Sequence, residues 1–155
     1  MYKALLKPIL LAGLIVGTLD ITAAIIQTLI AGGDPMKMLQ FIASGVFGRE
    51  AFEGGTIYSF YGLFFHYCIA TGWTILFFLI YPKLKTTLKN TGTIGVVYGL
   101  FVWLMMNRVV LPISNTPPIA FKISKALVSA LVLIVAIGLP LSFLANKYYT
   151  RTGQP

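Results

Sequence analysis

Two side chains suited to proton chemistry, Asp20 and His66, both fall inside long apolar runs of this sequence. Asp20 is the only charged residue between positions 9 and 31 and stands close to the centre of that run. An ionised carboxylate this deep in lipid costs about 2.5 to 3.5 kcal/mol on insertion scales, so the fold must provide a reason for it. His66 is the single histidine and lies within a second apolar run, 56–81. The two residues predict a polar site inside a membrane.

Their positions predict that the two side chains share a depth. Asp20 precedes Ala31, where the first run ends, by the same number of residues as His66 follows Gly55. At about 1.5 Å per helical residue, each lies roughly 16 Å below one membrane surface, near the midplane of a core about 30 Å thick. A carboxylate beside an imidazole stabilises the charged form of each. The pair suits a functional site, and it suits equally a structural link between two helices.

The elements that position this pair follow from composition. Hydrophobic residues make up 57% of the chain and charged residues 10%, and the mean hydropathy is +0.86. A membrane-spanning helix needs about 20 mainly apolar residues. Four stretches meet this requirement: 9–31, 56–81, 93–111 and 126–145. We therefore predict an all-α, polytopic membrane protein in which residues 1–155 form a single bundle of four transmembrane helices.

A fifth, shorter helix is predicted over residues 35–48. Asp34 and Pro35 are typical of an N-cap and a first helical turn. Apolar residues then recur at helical spacing, but the segment is too short to cross a membrane. We expect an interfacial or re-entrant helix at one mouth of the bundle, acting either as a lid over the polar site or as a structural cap.

The first helix carries small and polar residues along one face. At 100° per residue these residues fall within an arc of about 80°, and they are Gly13, Gly17, Asp20, Ala24, Gln27 and Ala31. Small residues spaced four apart allow membrane helices to approach closely. We expect helix packing at five glycines: Gly13, Gly17, Gly62, Gly95 and Gly99. The candidate polar membrane site comprises Asp20, His66, Gln27 and Asn107.

Arg108 stands near the end of the third apolar run, within about one turn of Pro112. An arginine at this depth reaches the interface with its guanidinium group. Glu50 and Glu53 belong to the same side of the membrane, so we predict a structural ion pair between Arg108 and one of these glutamates.

Basic residues predict the orientation. With four spans, the side that carries both termini holds Lys3, Lys7, Lys83, Lys85, Lys89, Lys147 and Arg151. The opposite side holds Lys37, Arg49, Arg108, Lys122 and Lys125. The excess predicts that both termini are cytoplasmic. The net charge of +8 is explained by orientation and by contact with lipid head groups, so we expect a lipid-bilayer partner and no nucleic acid.

The first apolar run has the outline of a signal peptide. Asp20 lies within this run, however, and favours a first helix that is retained rather than cleaved.

Residue types argue against catalysis. An aspartyl membrane protease needs two carboxylates in its spans, and this chain has Asp20 there and no second acid. Ser59 and His66 stand about 10 Å apart along one helix, too far for a nucleophile and its base. Cys68 is the single cysteine, which excludes an internal disulfide and a thiolate metal cluster. We expect no enzymatic activity, no bound metal and no cofactor.

Four runs of the sequence carry a resemblance to known proteins: GTLDITAA at 17–24, LQFIASGVFGREAFEGG at 39–55, GLFFHYCIA at 62–70 and MNRVVLPIS at 106–114. These runs, which cover much of the chain, resemble a group of short four-span bacterial inner-membrane proteins that carry no established function. YPKLK at 81–85 and NTPP at 115–118 are similar to the YagU-type inner-membrane family. The resemblance implies a bacterial inner-membrane location and a four-span topology, and it transfers no site residue.

Two functional hypotheses remain. In the first, the protein moves a proton, a small cation or a small solute, with Asp20 as the coupling site beside His66. Since four helices enclose little space, this hypothesis predicts a homo-oligomer or a partner membrane subunit. In the second, the protein is a non-catalytic scaffold or accessory subunit, and its polar residues specify helix packing.

Overall fold

The computed structural model describes residues 2–118 and 122–153. Within these ranges the chain is helical and has no strand. In chain order, the helices of the described residues are α1 (Tyr2–Ile30), α2 (Pro35–Phe47), α3 (Glu50–Glu53), α4 (Ile57–Leu88), α5 (Thr91–Ile113) and α6 (Ile123–Thr152). Four of them, α1, α4, α5 and α6, are long and apolar enough to cross a membrane. The predicted all-α polytopic fold is confirmed, and the protein is a multi-pass membrane protein.

The long helices extend beyond the apolar runs that predict them. α4 continues through Pro82 to Leu88, and α6 continues to Thr152. Lysine, leucine and threonine follow the apolar part of α4, and an already formed helix propagates through such residues at little cost. Hydropathy therefore locates the part of each helix inside lipid, whereas backbone hydrogen bonding decides where the helix ends.

α1 and α4 run antiparallel and cross closely where α1 has glycine. A Cβ atom added at Gly13 would lie 3.2 Å from the Thr71 hydroxyl oxygen, and one added at Gly17 would lie 2.9 Å from the Tyr67 ring. Neither position has room for a larger residue without movement of its neighbour. This crossing brings the middle of α1 against the middle of α4.

α5 and α6 also run antiparallel and approach even more closely. A Cβ atom at Gly99 would lie 2.6 Å from the Ile134 Cα atom, and one at Gly95 would lie 2.9 Å from the Leu139 Cα atom. Across the same contact, a Cβ atom at Gly138 would overlap the Gly95 carbonyl oxygen. Backbone thus meets backbone at this crossing, as the small-residue pattern of membrane helices predicts.

Both α5 and α6 contain a π-helical turn immediately before a Leu-Pro pair. The two turns are Met106–Val110 and Ile134–Gly138, and in each case the following leucine donates its N–H to the first carbonyl of the turn. Proline has no N–H to donate, and its ring disturbs the preceding turn of a helix. Single π-helical turns of this kind frequently occur at functional sites. These turns divide each helix into two segments.

The half of the bundle nearer the termini, called the termini half below, contains the main hydrophobic core. Large aromatic side chains from α4 and α5 are fully buried there, with Leu141 of α6 against them: Phe77, Phe78, Tyr81 and Tyr98. Tyr81 donates a 3.0 Å hydrogen bond to Asn146 Oδ1, and Ser142 Oγ donates one of 2.6 Å to the Thr91 carbonyl. Every buried polar side-chain atom among the described residues has a hydrogen-bond partner.

α2 lies across the opposite end of the bundle, called the α2 end below. A Cβ atom at Gly62 of α4 would overlap the Leu39 carbonyl, so α2 rests directly on the α4 backbone. Ser59 Oγ donates a 3.1 Å hydrogen bond to the Met36 carbonyl, and Gln40 Nε2 donates one of 3.0 Å to the Gly55 carbonyl. With 13 residues, α2 is about 20 Å long and too short to span the membrane.

Both ends of α2 are capped. Asp34 Oδ1 accepts a 2.8 Å hydrogen bond from the Met36 N–H. At the other end Gly48 has φ 61°, a conformation that costs residues with a Cβ atom more than glycine, and its N–H reaches the Ser44 carbonyl at 2.8 Å. The Asn115 N–H donates to the Gly45 carbonyl at 3.1 Å, which ties the loop after α5 to α2.

Replacing Asp34 with alanine should loosen α2. Loss of an N-cap typically costs about 1 kcal/mol, which corresponds to a roughly fivefold rise in the rate of amide hydrogen exchange within α2. Hydrogen exchange measured by mass spectrometry on the purified protein checks this. Asp34→Ser, which keeps a capping oxygen, is the control and should exchange almost like the wild type. Equal exchange in all three proteins would show that tertiary contacts alone hold α2.

Candidate functional site

Asp20 of α1 and His66 of α4 face each other in the middle of the bundle. The distance between Asp20 Oδ2 and His66 Nδ1 is 4.0 Å, and the two side chains are 20% and 11% exposed, respectively. The close crossing at Gly17 positions them, because a larger residue there would push α1 away from Tyr67. The two residues that the sequence predicts at one depth therefore meet.

The second imidazole nitrogen determines where the proton of His66 resides. His66 Nε2 lies 2.8 Å from the Gly17 carbonyl oxygen. A carbonyl oxygen only accepts hydrogen bonds, so Nε2 carries a hydrogen and donates it. In neutral His66 the other nitrogen, Nδ1, is then unprotonated and directed at Asp20. Any proton that His66 gains or loses is carried on Nδ1.

Asp20 and His66 can consequently share one proton. It resides either on the Asp20 carboxyl group or on His66 Nδ1, and the second arrangement is an ion pair. The 4.0 Å separation exceeds the length of a direct hydrogen bond. A small rotation of the Asp20 side chain or one bridging water closes this gap. The pair thus holds an acid and a base close to each other without a direct hydrogen bond between them.

A neighbouring hydrogen bond, which sequence reasoning missed, also joins α1 to α4. Thr18 Oγ1 donates to the Leu14 carbonyl at 2.8 Å, so Thr18 Oγ1 accepts from the Tyr67 hydroxyl, 2.9 Å away. Thr18 and Tyr67 are close in the chain to Asp20 and His66, respectively. The sequence offered one sign of this bond, namely two polar residues at matching depths in α1 and α4. Threonine and tyrosine are common in membrane helices, so this sign alone does not predict a contact.

A large open groove lies at the α2 end, with a volume of about 1540 Å³. The end of α1, the end of α5, the loop 114–118 and the start of α6 form its walls, and Met38 of α2 reaches it. The described residues of α5 from Met106 to Ile113 and of α6 from Ile123 to Leu133 include no buried side chain. The two helices therefore line an open space here, whereas they are tightly packed in the termini half.

Gln27 and Asn107 line this groove rather than contacting the Asp20–His66 pair. Asn107 Nδ2 donates a 2.9 Å hydrogen bond to the Trp103 carbonyl. The four residues predicted as one polar membrane site thus divide into a proton-sharing pair and two groove residues. Ala24, another groove residue, is one turn of α1 from Asp20, about 6 Å along the helix axis.

Three basic side chains line the groove, namely Arg108, Lys122 and Lys125, and its described lining contains no acidic residue. The predicted ion pair of Arg108 with Glu50 or Glu53 is not formed. Within residues 2–118 and 122–153, the acid–base contact within 4.0 Å is that of Asp20 with His66, which is an ion pair when the shared proton is on His66.

The reason for this difference lies in tertiary structure. Glu50 of the short helix α3 accepts a 2.7 Å hydrogen bond from the Tyr58 hydroxyl at the start of α4, whereas Arg108 lines the groove. A shared side of the membrane is therefore not sufficient to bring the two charges together.

Metal ligands are not clustered in the described part of the chain, since no three His, Cys, Asp or Glu side chains there are placed to hold an ion. Comparison of the chain with models of protein families, with curated proteins and with solved structures finds no match. The similarity to short bacterial inner-membrane proteins stays a prediction.

Proposed function

We propose that this protein is a transporter of the bacterial inner membrane in which the Asp20–His66 pair exchanges a proton while a small solute occupies the groove. The observation that carries this proposal is the groove itself, whose α1 wall reaches to within one turn of the pair. An ionisable residue inside a membrane bundle is most often functional. In this proposal the protein transports and does not catalyse a reaction.

The difference between the two ends of the bundle supports transport. The α2 end is open through the groove, while the termini half is filled by buried aromatic side chains. A bundle open at one end and packed at the other corresponds to one state of an alternating-access cycle. The π-turns Met106–Val110 and Ile134–Gly138 provide positions where the groove segments of α5 and α6 can bend.

In the proposed orientation both termini are cytoplasmic and the groove opens to the outside. The excess of lysine and arginine on the terminal side supports this orientation, and the resemblance to short inner-membrane proteins supports the location. Large apolar side chains are exposed along all four long helices, for example Leu14, Phe64, Leu100 and Leu131. This surface faces lipid or, in a homo-oligomer, a second copy of the chain.

Proton flux into vesicles tests the proposal. The purified protein in liposomes should dissipate an imposed pH gradient faster than protein-free liposomes, and His66→Gln should lose most of this excess flux. Glutamine keeps an N–H that can reach the Gly17 carbonyl but cannot take up a proton at neutral pH. Wild-type flux equal to that of empty liposomes, with and without candidate solutes, would contradict proton transport.

A non-catalytic scaffold or accessory subunit is the second candidate, and one observation favours it. The His66 bond to Gly17 and the Tyr67 bond to Thr18 both tie α1 to α4, which is what a purely structural polar cluster would do. In that case wild type and His66→Gln should both show the flux of empty liposomes, and the substitution should alter only the stability of the α1–α4 contact. The same flux assay therefore separates the two candidates.

A further inference from the structure

We propose that the groove binds a phosphate-type anion, carried either by a phospholipid head group or by a small soluble molecule. Its basic side chains come from two separate parts of the chain: Arg108 belongs to α5, Lys122 directly precedes α6, and Lys125 lies in the first turn of α6. None of the three belongs to an ion pair within the described residues. Like charges around one space repel one another unless an anion lies between them.

The polar residues around these cations fit the same ligand. Asn107 and Ser124 line the groove with Arg108, Lys122 and Lys125, and side-chain amides and hydroxyls donate hydrogen bonds to phosphate oxygens. Arg108 can add two parallel N–H bonds, because the guanidinium group matches the geometry of a phosphate. Together these groups supply both charge and directional donors.

The location of the acids strengthens the inference. The acidic residues at the α2 end are Asp34, Glu50 and Glu53, and none of them is among the described lining of the groove. Two are occupied elsewhere: Asp34 caps α2, and Glu50 accepts the Tyr58 hydroxyl. The groove consequently presents one sign of charge, which concentrates anions and repels free cations.

The size and remaining lining allow more than inorganic phosphate. The volume of about 1540 Å³ exceeds the roughly 300 to 1,000 Å³ of a typical small-molecule site. Apolar groups such as Ile30, Leu111 and Val128 adjoin the basic ones. A ligand with an apolar part beside its phosphate fits this lining. Binding is an equilibrium property that goes beyond the proposed function and does not depend on proton transport.

The test uses the full-length protein and two probes. Inorganic phosphate is titrated against detergent-solubilised protein by isothermal calorimetry. In parallel, nanodiscs of phosphatidylcholine with increasing phosphatidylglycerol report lipid binding, measured as retained lipid by native mass spectrometry. The groove variant is Lys122→Gln/Lys125→Gln. The control Lys37→Gln/Arg49→Gln removes the same charge from the same end of the protein, at residues outside the groove lining.

We expect the groove variant to bind the anion at least about tenfold more weakly, equivalent to about 1.4 kcal/mol, and the control variant to stay within about twofold of wild type. Phosphate binding identifies a soluble ligand class, and selective retention of phosphatidylglycerol identifies a lipid head group. Either result supports the site. Equal weakening in both variants, or no binding of either probe by the wild type, overturns it. All four substituted side chains are exposed, and thermal unfolding of each variant verifies that the fold is retained.

Discussion

Replacing Asp20 with asparagine is expected to abolish the proposed proton exchange of the lipid-reconstituted protein while leaving its fold intact. Asparagine retains the shape of the side chain and its carbonyl oxygen but cannot hold an exchangeable acid proton. The proton that we propose to move between Asp20 Oδ2 and His66 Nδ1, 4.0 Å apart, then has no second site. Flux through the pair should fall to the level of protein-free liposomes.

The fold should tolerate this change for two reasons. A neutral amide at this depth avoids the cost of a buried carboxylate, about 2.5 to 3.5 kcal/mol on insertion scales. In addition, the bonds that hold α1 against α4 remain, since the Gly17 carbonyl still accepts from His66 and Thr18 still accepts from Tyr67. Helical content and unfolding in detergent should therefore stay close to wild type.

Proton uptake and release measured across about pH 3 to 9 checks the prediction, a range that includes the ordinary pKa values of carboxyl and imidazole groups. Asp34→Asn is the matched control, since it makes the same chemical change at the cap of α2, outside the bundle. It should leave flux unchanged. Identical titration and flux in wild type and Asp20→Asn would mean that Asp20 does not exchange protons. If that flux also equals the flux of protein-free liposomes, the result supports the scaffold.

Replacing Gly138 with alanine should cause the largest loss of stability among single glycine substitutions at the α5–α6 crossing. The added methyl group would overlap the Gly95 carbonyl and meet the Gly99 Cα atom at 3.0 Å. Both obstacles are backbone, so no change of side-chain rotamer relieves them, and the two helices must separate. Overpacking of this kind costs about 1 to 3 kcal/mol or more.

Gly72→Ala is a control for which we expect no loss of stability. Gly72 lies within α4, and nothing lies within 4 Å of a Cβ atom added there. Alanine favours a helix over glycine by up to about 1 kcal/mol, so this variant should be as stable as the wild type or more stable. Unfolding by sodium dodecyl sulfate, followed by circular dichroism, measures both. Equal stability of Gly138→Ala and Gly72→Ala would contradict the backbone contact at the crossing.

The membrane class and the depth of the Asp20–His66 pair could be predicted because both depend on local properties. Apolar length places each span in lipid, and a rise of about 1.5 Å per residue fixes how deep each side chain lies. Asp34 with Pro35 likewise predicts the start of α2, since capping involves neighbouring residues alone. The small-residue face of α1 indicated which side of that helix meets α4.

The Arg108 ion pair illustrates where prediction failed. Arg108 and Glu50 were assigned to the same side of the membrane, but the sequence contains no information on their lateral distance. Instead, the hydroxyl group of Tyr58, a residue eight positions after Glu50, donates a hydrogen bond to the Glu50 carboxylate. Gln27 was assigned to the polar site because it shares the small-residue face of α1 with Asp20, and both Gln27 and Asn107 line the groove.

The amino-acid sequence by itself determined that this is a four-span α-helical membrane protein with an acid and an imidazole at one depth, because hydropathy and helical periodicity are read along one chain segment at a time. Only the tertiary structure decided that Asp20 and His66 meet, that His66 Nε2 donates to the Gly17 carbonyl, and that three basic residues line one open groove. These features depend on how distant helices cross, and backbone contacts such as that of Gly95 with Gly138 set those crossings.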